Sequence, residues 1–297
     1  MIAKAVSLWA VNATVSKVVL QSGLSAYRLS EVRAAGAAAL FIASVMVTRP
    51  RALRVRRAEL PWLVAFGVFG LAFVQFFYFV GLERLDIGVS LVIEYITPVL
   101  VALWARFVVK EPVRRRLWLA IAVALAGLSL VVDLWGGVTL DGIGVGACLL
   151  AALAYAGYIL IAEHSLSRGR TVLSLLAWGF FLATVFWSFA QPWWTFPLSF
   201  VGDDVSLLGR LGDVTAPVWP LLLFVVVLGT FVPFILMVGA LQHIPATRAT
   251  IIAMLEPVLA AVVAFAWLEE SLTAGQIAGG VLVLAGVGIA QTARPAA

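Results

Sequence analysis

Ten apolar runs of about twenty residues leave this chain few ways to fold: 2–20, 27–48, 61–82, 87–109, 117–133, 142–162, 172–191, 218–240, 247–268 and 274–292. About eighteen apolar residues in a row suffice for a helix to cross the hydrocarbon layer. Such a helix satisfies its own backbone groups, which the interior of a bilayer demands. Apolar residues make up 63% of the 297 and charged residues 12%, against about 45–50% and about 25% in soluble domains. No soluble fold of this length has enough interior for so much apolar side chain. The expected class is an all-α polytopic membrane protein with ten transmembrane helices.

The net charge of +5 does not point to nucleic acid, because the basic residues fill short gaps between apolar runs. One alternate set of loops holds Arg49, Arg51, Arg54, Arg56 and Arg57, then Lys110 and Arg114 to Arg116, then Arg168, Arg170 and Arg248. Lys4 and Arg294 lie at the two ends of the chain on that side, while the other loops hold only Arg28, Arg84 and Arg210. Loops rich in Lys and Arg stay cytoplasmic. Both termini are therefore expected in the cytoplasm of a bacterial-type inner membrane, with residues 192–217 outside. Trp62 and Trp118 at inner ends, and Trp135, Trp193, Trp194, Trp219 and Trp267 near outer ends, suit the headgroup level. The first run lacks a small-residue cleavage site and reads as a retained helix.

The halves resemble each other when residue n is set against n+159. Pro98-Val99-Leu100 meets Pro257-Val258-Leu259, Glu111 meets Glu270, and Leu125-Ala126-Gly127 meets Leu284-Ala285-Gly286. Near the start of each half an offset of 146 pairs Trp9 and Asn12 with Tyr155 and Tyr158. Residues 1–139 and 140–297 are expected to form two five-helix repeats. Five is odd, so the second repeat enters the membrane from the opposite side. Inverted repeats around a central midplane cavity are typical of secondary transporters. The expected partners are then a small-molecule substrate and the lipid bilayer.

The stretches from Gly81-Leu82 through Pro98 to Lys110-Glu111, and from Ala240-Leu241 through Glu256-Pro257 to Glu269-Glu270, resemble the drug/metabolite transporter superfamily. Together with Trp9 and Asn12 they match its EamA-type members, and the resemblance covers essentially the whole chain. It implies a cavity lined by helices 1, 3, 4, 6, 8 and 9, and export as the direction of transport. The aromatic content of the middle helices is similar to that of YddG-type exporters, which implies aromatic or other hydrophobic amino acids as substrate. Broad efflux of other metabolites or lipophilic cations, a lipid-modifying membrane enzyme and a passive helical scaffold stay open as rival readings.

The candidate substrate-binding residues are aromatic, amide and acidic. Trp9 and Asn12 are three apart, as are Tyr155 and Tyr158, so each pair shares a helical face. With Tyr78 and Tyr95 they lie well inside helices, where indole and phenol groups need hydrogen-bond partners. Ionisable groups inside a membrane usually face a cavity or a partner. Glu94 lies about 10 Å down helix 4 at 1.5 Å per residue, and Glu256 is near the middle of helix 9. Their rival role is structural, as a carboxylic acid bonded to the next helix. Lys17, Glu31, Arg33, Arg106 and Glu163 lie nearer helix ends, where long side chains reach water. Pro98 and Pro257 each remove a backbone donor and are expected to act as hinges at symmetry-related depths.

No enzyme signature or metal cluster is apparent, and no cofactor is expected. His164 and His243 lie at inner loops, and Cys148 is a lone residue in an apolar helix. Gly142, Gly144 and Gly146 follow no strand and read as helix-packing positions. Gly275 and Gly279 form a Gly-x-x-x-Gly pair suited to close packing within the protein or between protomers, so a homodimer stays open.

Overall fold

The computed structural model describes residues 1–85, 87–111, 113–132 and 141–292. Trp135, Arg294 and the boundary expected at residues 139 and 140 lie outside them. The first five spans are α1 (Ile2–Leu20), α2 (Ala26–Thr48), α3 (Arg57–Leu82), α4 (Ile87–Glu94 and Thr97–Phe107) and α5 (Arg115–Val131). The second five are α6 (Gly142–Ser167), α7 (Val172–Ala190), α8 (Val218–Ala240), α9 (Ala246–Ala253 and Leu255–Leu268) and α10 (Ala274–Thr292). Among the described residues, nine spans are long and apolar enough to cross a membrane. The tenth, α5, has 17 described residues.

Local chemistry sets several helix starts. The side chains of Ser25, Asp141 and Thr171 accept hydrogen bonds from Arg28, Gly144 and Ser174 N–H groups at 3.2, 2.7 and 3.3 Å. These N-caps satisfy donors that the first helical turn leaves open. α6 runs five residues beyond the end of its apolar run, to Ser167. Near that end, Glu163 Oε1 accepts the Ala246 N–H at 2.8 Å and caps α9. The α7–α8 connection holds a small antiparallel pair that its composition did not announce, β1 (Asp204–Ser206) with β2 (Thr215–Pro217). It is tied to α9 by Trp267, whose indole N–H donates to the Leu207 carbonyl at 2.9 Å.

α5 and α10 cross through closely packed glycines. A Cβ on Gly127 would come within 2.6 Å of the Gly279 carbonyl oxygen, and one on Gly286 within 2.8 Å of the Ala120 carbonyl oxygen. Gly127 and Gly286, and Ala120 and Gly279, are also the positions that the offset of 159 pairs. Gly279 is thus used inside the molecule, whereas a Cβ on Gly275 would meet only Thr273. Within one chain, the Gly-x-x-x-Gly pair does not pack as a unit. Among the described residues, of the three glycines at the start of α6 only Gly144 has a close neighbour, the α3–α4 turn at Arg84 and Leu85.

The irregular turns fall at positions that the same offset of 159 pairs. α4 is interrupted at Tyr95 and Ile96, and α9 at Met254, with Pro98 and Pro257 three residues past the start of each break. Ile96 and Met254 N–H groups bond to carbonyls three residues back, at 3.2 Å in both cases. Proline cannot bond the carbonyl four residues before it; in α4 that carbonyl, of Glu94, instead accepts from the Thr97 hydroxyl at 2.7 Å. α3 and α8 each contain a wider π-helical stretch, Ala65–Ala72 and Val227–Phe231. Pro233 supplies a cause in α8, since it leaves the Gly229 carbonyl without its usual donor.

Candidate functional site

A cavity of about 410 Å³ lies between the two halves. α1 contributes Trp9, Asn12, Ala13 and Ser16, and α3 contributes Gln75 and Tyr78. The broken turns of α4 and α9 supply Glu94, Tyr95, Glu256 and Pro257, while α6 supplies Tyr155 and Tyr158. All eight candidate substrate-binding residues therefore border one space. Pro98 does not line it; Thr97 beside it lies against α6, 3.1 Å from the Ala152 carbonyl.

The cavity reaches from Trp9 and Phe234 to Leu20 and Ala26 at the α1–α2 turn, where it is open. Toward the opposite, Arg-rich face the space is filled: Ala5, Val6, Met237 and Ala249 are fully buried. The floor is aromatic. Tyr155 and Tyr158 are stacked with centroids 5.3 Å apart and planes 6° from parallel. Trp9 meets Phe234 edge-on at 5.5 Å, and Phe234 lies 6.2 Å from Tyr158.

The polar groups are unevenly satisfied. Tyr95 donates its hydroxyl to Glu256 Oε2 at 3.0 Å, joining α4 to α9. That is the structural bond that a membrane-embedded Glu can make, and it leaves the rest of the carboxylate at the cavity. Glu94 makes no side-chain hydrogen bond or ion pair to a described residue. Asn12 Oδ1, Ser16 Oγ, Ser30 Oγ, Gln75 Oε1 and the Tyr158 hydroxyl are buried without a partner among the described residues. Asn12 is pressed onto α8 where that helix is widened: a Cβ on Gly229 would displace the Asn12 side-chain amide.

The charged residues near helix ends fall into two groups. Lys17 pairs with Glu270 at 2.9 Å, with both side chains about half exposed. Arg28 and Glu31 form a buried pair at 2.6 Å, and Arg28 also bonds Thr195 and the Pro192 carbonyl. Arg33 departs from the expectation that it reaches water at a helix end. It lines the cavity with Ser30 and Leu29, which makes α2 a wall that the sequence did not reveal. Phe234, Ser16 and Gln75 are further lining residues not expected from the sequence. Gln75 carries a signal there, as the only amide in the apolar run 61–82.

The model of the EamA-like transporter family matches residues 1–133 and again 142–291. An uncharacterized transporter of Archaeoglobus fulgidus is 26% identical over 219 residues, 72% of this chain and 70% of its own length. A second one from that organism is 22% identical over 286 residues, covering 96% of this chain and 95% of its own length. The uncharacterized transporter YdfC of Bacillus subtilis is 22% identical over 231 residues, 77% of this chain and 70% of its own length. A solved crystal structure superposes with a TM-score of 0.78 over 97% of this chain and 93% of its own, at 15% identity, a likeness of fold alone. With two family matches spanning almost all of its length, the chain belongs to the EamA-like transporter family and is a multi-pass membrane transporter.

Proposed function

We propose that the protein exports aromatic or other hydrophobic amino acids across a bacterial-type inner membrane, by alternating access between its two inverted five-helix repeats. The observation that carries this reading is the mixed character of one cavity. Stacked and edge-on rings border it, yet five of its residues hold buried polar atoms with no partner among the described residues. Unsatisfied polar atoms cost about 1–3 kcal/mol each, so they favour a polar occupant. Rings favour an aromatic one, at about 0.5–1.5 kcal/mol per contact. An aromatic amino acid is both. Asn12 offers donors and an acceptor to its charged ends.

The Arg-rich loops argue for cytoplasmic termini, so the open mouth at the α1–α2 turn faces outward. The halves then rock about the broken turns of α4 and α9, with Pro98 and Pro257 as hinges. Efflux of lipophilic cations draws support from Glu94 and Glu256, but Arg33 beside the same space repels a cation without a carboxylate.

Counterflow in proteoliposomes tests the substrate class. Vesicles loaded with unlabelled tryptophan or phenylalanine should accumulate the labelled compound transiently, and vesicles loaded with a lipophilic cation should not drive it. Accumulation driven by the cation, with none driven by either amino acid, would replace this reading by cation efflux.

A further inference from the structure

We infer that Arg33 is the carboxylate subsite of the cavity and that Thr230 is its positioning residue. The inference rests on the amino-acid reading above and narrows it: the ligand carries a carboxylate close to its aromatic group.

Arg33 stands seven residues inside α2, about 10 Å along the helix axis at 1.5 Å per residue. An arginine at that depth normally has a partner or faces a wet cavity. Arg28, one and a half turns earlier, has its partner in Glu31 at 2.6 Å. Arg33 makes no direct ion pair with a described residue, the Glu256 carboxylate on the same cavity attracting it only at longer range. Its one hydrogen bond runs from Nε to Thr230 Oγ1 at 3.1 Å. The two terminal nitrogens bond no described residue, and the side chain borders the cavity. A guanidinium held at Nε keeps its Nη1/Nη2 edge for a two-pronged bond to a carboxylate.

Thr230 is placed for this by the π-helical stretch of α8. Its hydroxyl donates to the Val225 carbonyl, five residues back, at 2.8 Å. The hydroxyl hydrogen is thereby committed, and its lone pairs are turned to Arg33. Thr230 is itself fully buried. Its neighbour Gly229 brings α8 against Asn12 of α1. The widened turn thus fixes the cation on one wall and the amide on the next. Glu94, without a partner of its own among the described residues, borders the same space and suits the ammonium group of the same ligand. A zwitterion satisfies both walls, whereas an amine lacking the carboxylate satisfies only one.

The test compares equilibrium binding of tryptophan and tryptamine, which differ by the carboxylate alone, to the purified full-length protein. Wild type should bind tryptophan at least about tenfold more tightly, the scale of a charge-assisted hydrogen bond. Arg33→Gln should weaken tryptophan by about tenfold or more and leave tryptamine, freed of the repulsion, bound equally or more tightly, collapsing the preference. Thr230→Val should move the ratio the same way by a smaller step, which a purely structural residue would not do. If Arg33→Gln fails to fold, Arg33→Lys keeps the charge without the fork and should lower the ratio part of the way. An unchanged tryptophan-to-tryptamine ratio in these variants overturns the subsite while leaving amino-acid binding standing. A wild-type protein that binds neither compound overturns the amino-acid reading itself.

Discussion

Replacing Tyr158 by alanine is expected to lower sub-saturating tryptophan flux by roughly twofold to tenfold for each ring–substrate interaction it removes, the equivalent of about 0.5–1.5 kcal/mol apiece. Tyr158 is the strongest single case because it holds two others in place. It is stacked on Tyr155 and lies 6.2 Å from Phe234, which in turn meets Trp9. Its hydroxyl is also one of the buried groups without a partner. Tyr78→Ala removes a ring from the α3 wall and should cost less, since its one close ring neighbour among the described residues is Phe79, 6.2 Å away. Tyr158→Phe separates the two roles: it keeps the ring and should retain more flux than the alanine variant. Removing a buried aromatic costs about 3–5 kcal/mol of stability, so flux is compared only among variants that stay monodisperse. Equal flux in wild type and a folded Tyr158→Ala protein would detach the aromatic floor from transport.

The double substitution Pro98→Ala with Pro257→Ala should slow transport by about tenfold or more while changing substrate affinity by less than about twofold, because a conformational step and not the site is altered. Restoring the backbone donor at 98 lets it compete with the Thr97 hydroxyl for the Glu94 carbonyl, which closes the break in α4. The equivalent change in α9 removes the cause of its break at Met254. Both helices then become stiffer rods. Pre-steady-state exchange alongside equilibrium binding separates the two effects. A variant that transports at the wild-type rate would show that the broken turns are not where the halves bend.

The spans were legible because a bilayer requires long apolar runs, and the run itself is the helix. Trp9, Asn12, Tyr155 and Tyr158 were legible as faces because residues three apart project together. What escaped was the assignment of faces to neighbours. Arg33 has the same sequence signature as a side chain that escapes to water at a helix end; only the placement of Thr230 across from it turns it inward. Phe234 sits among equally apolar neighbours in α8 and has no sequence mark at all. The breaks in α4 and α9 were announced by their prolines, but the π-helical stretch of α8 was not, although Gly229 and Pro233 bracket its cause. The β1–β2 pair is three residues per strand, too short for alternation to register.

Alternating access by this cavity is the central claim, and thiol labelling at Ala13 tests it most directly. Ala13 is exposed, lines the cavity and is small enough that cysteine is a mild change. In a Cys148→Ala background, Arg54→Cys and Asp203→Cys mark the cytoplasmic and outer sides. Ala13→Cys should react with a membrane-impermeant reagent from the Asp203 side, and from the Arg54 side when the cavity turns inward. Tryptophan should protect it on both sides. Reaction from one side only under every condition, unaffected by tryptophan, would contradict alternating access through this cavity.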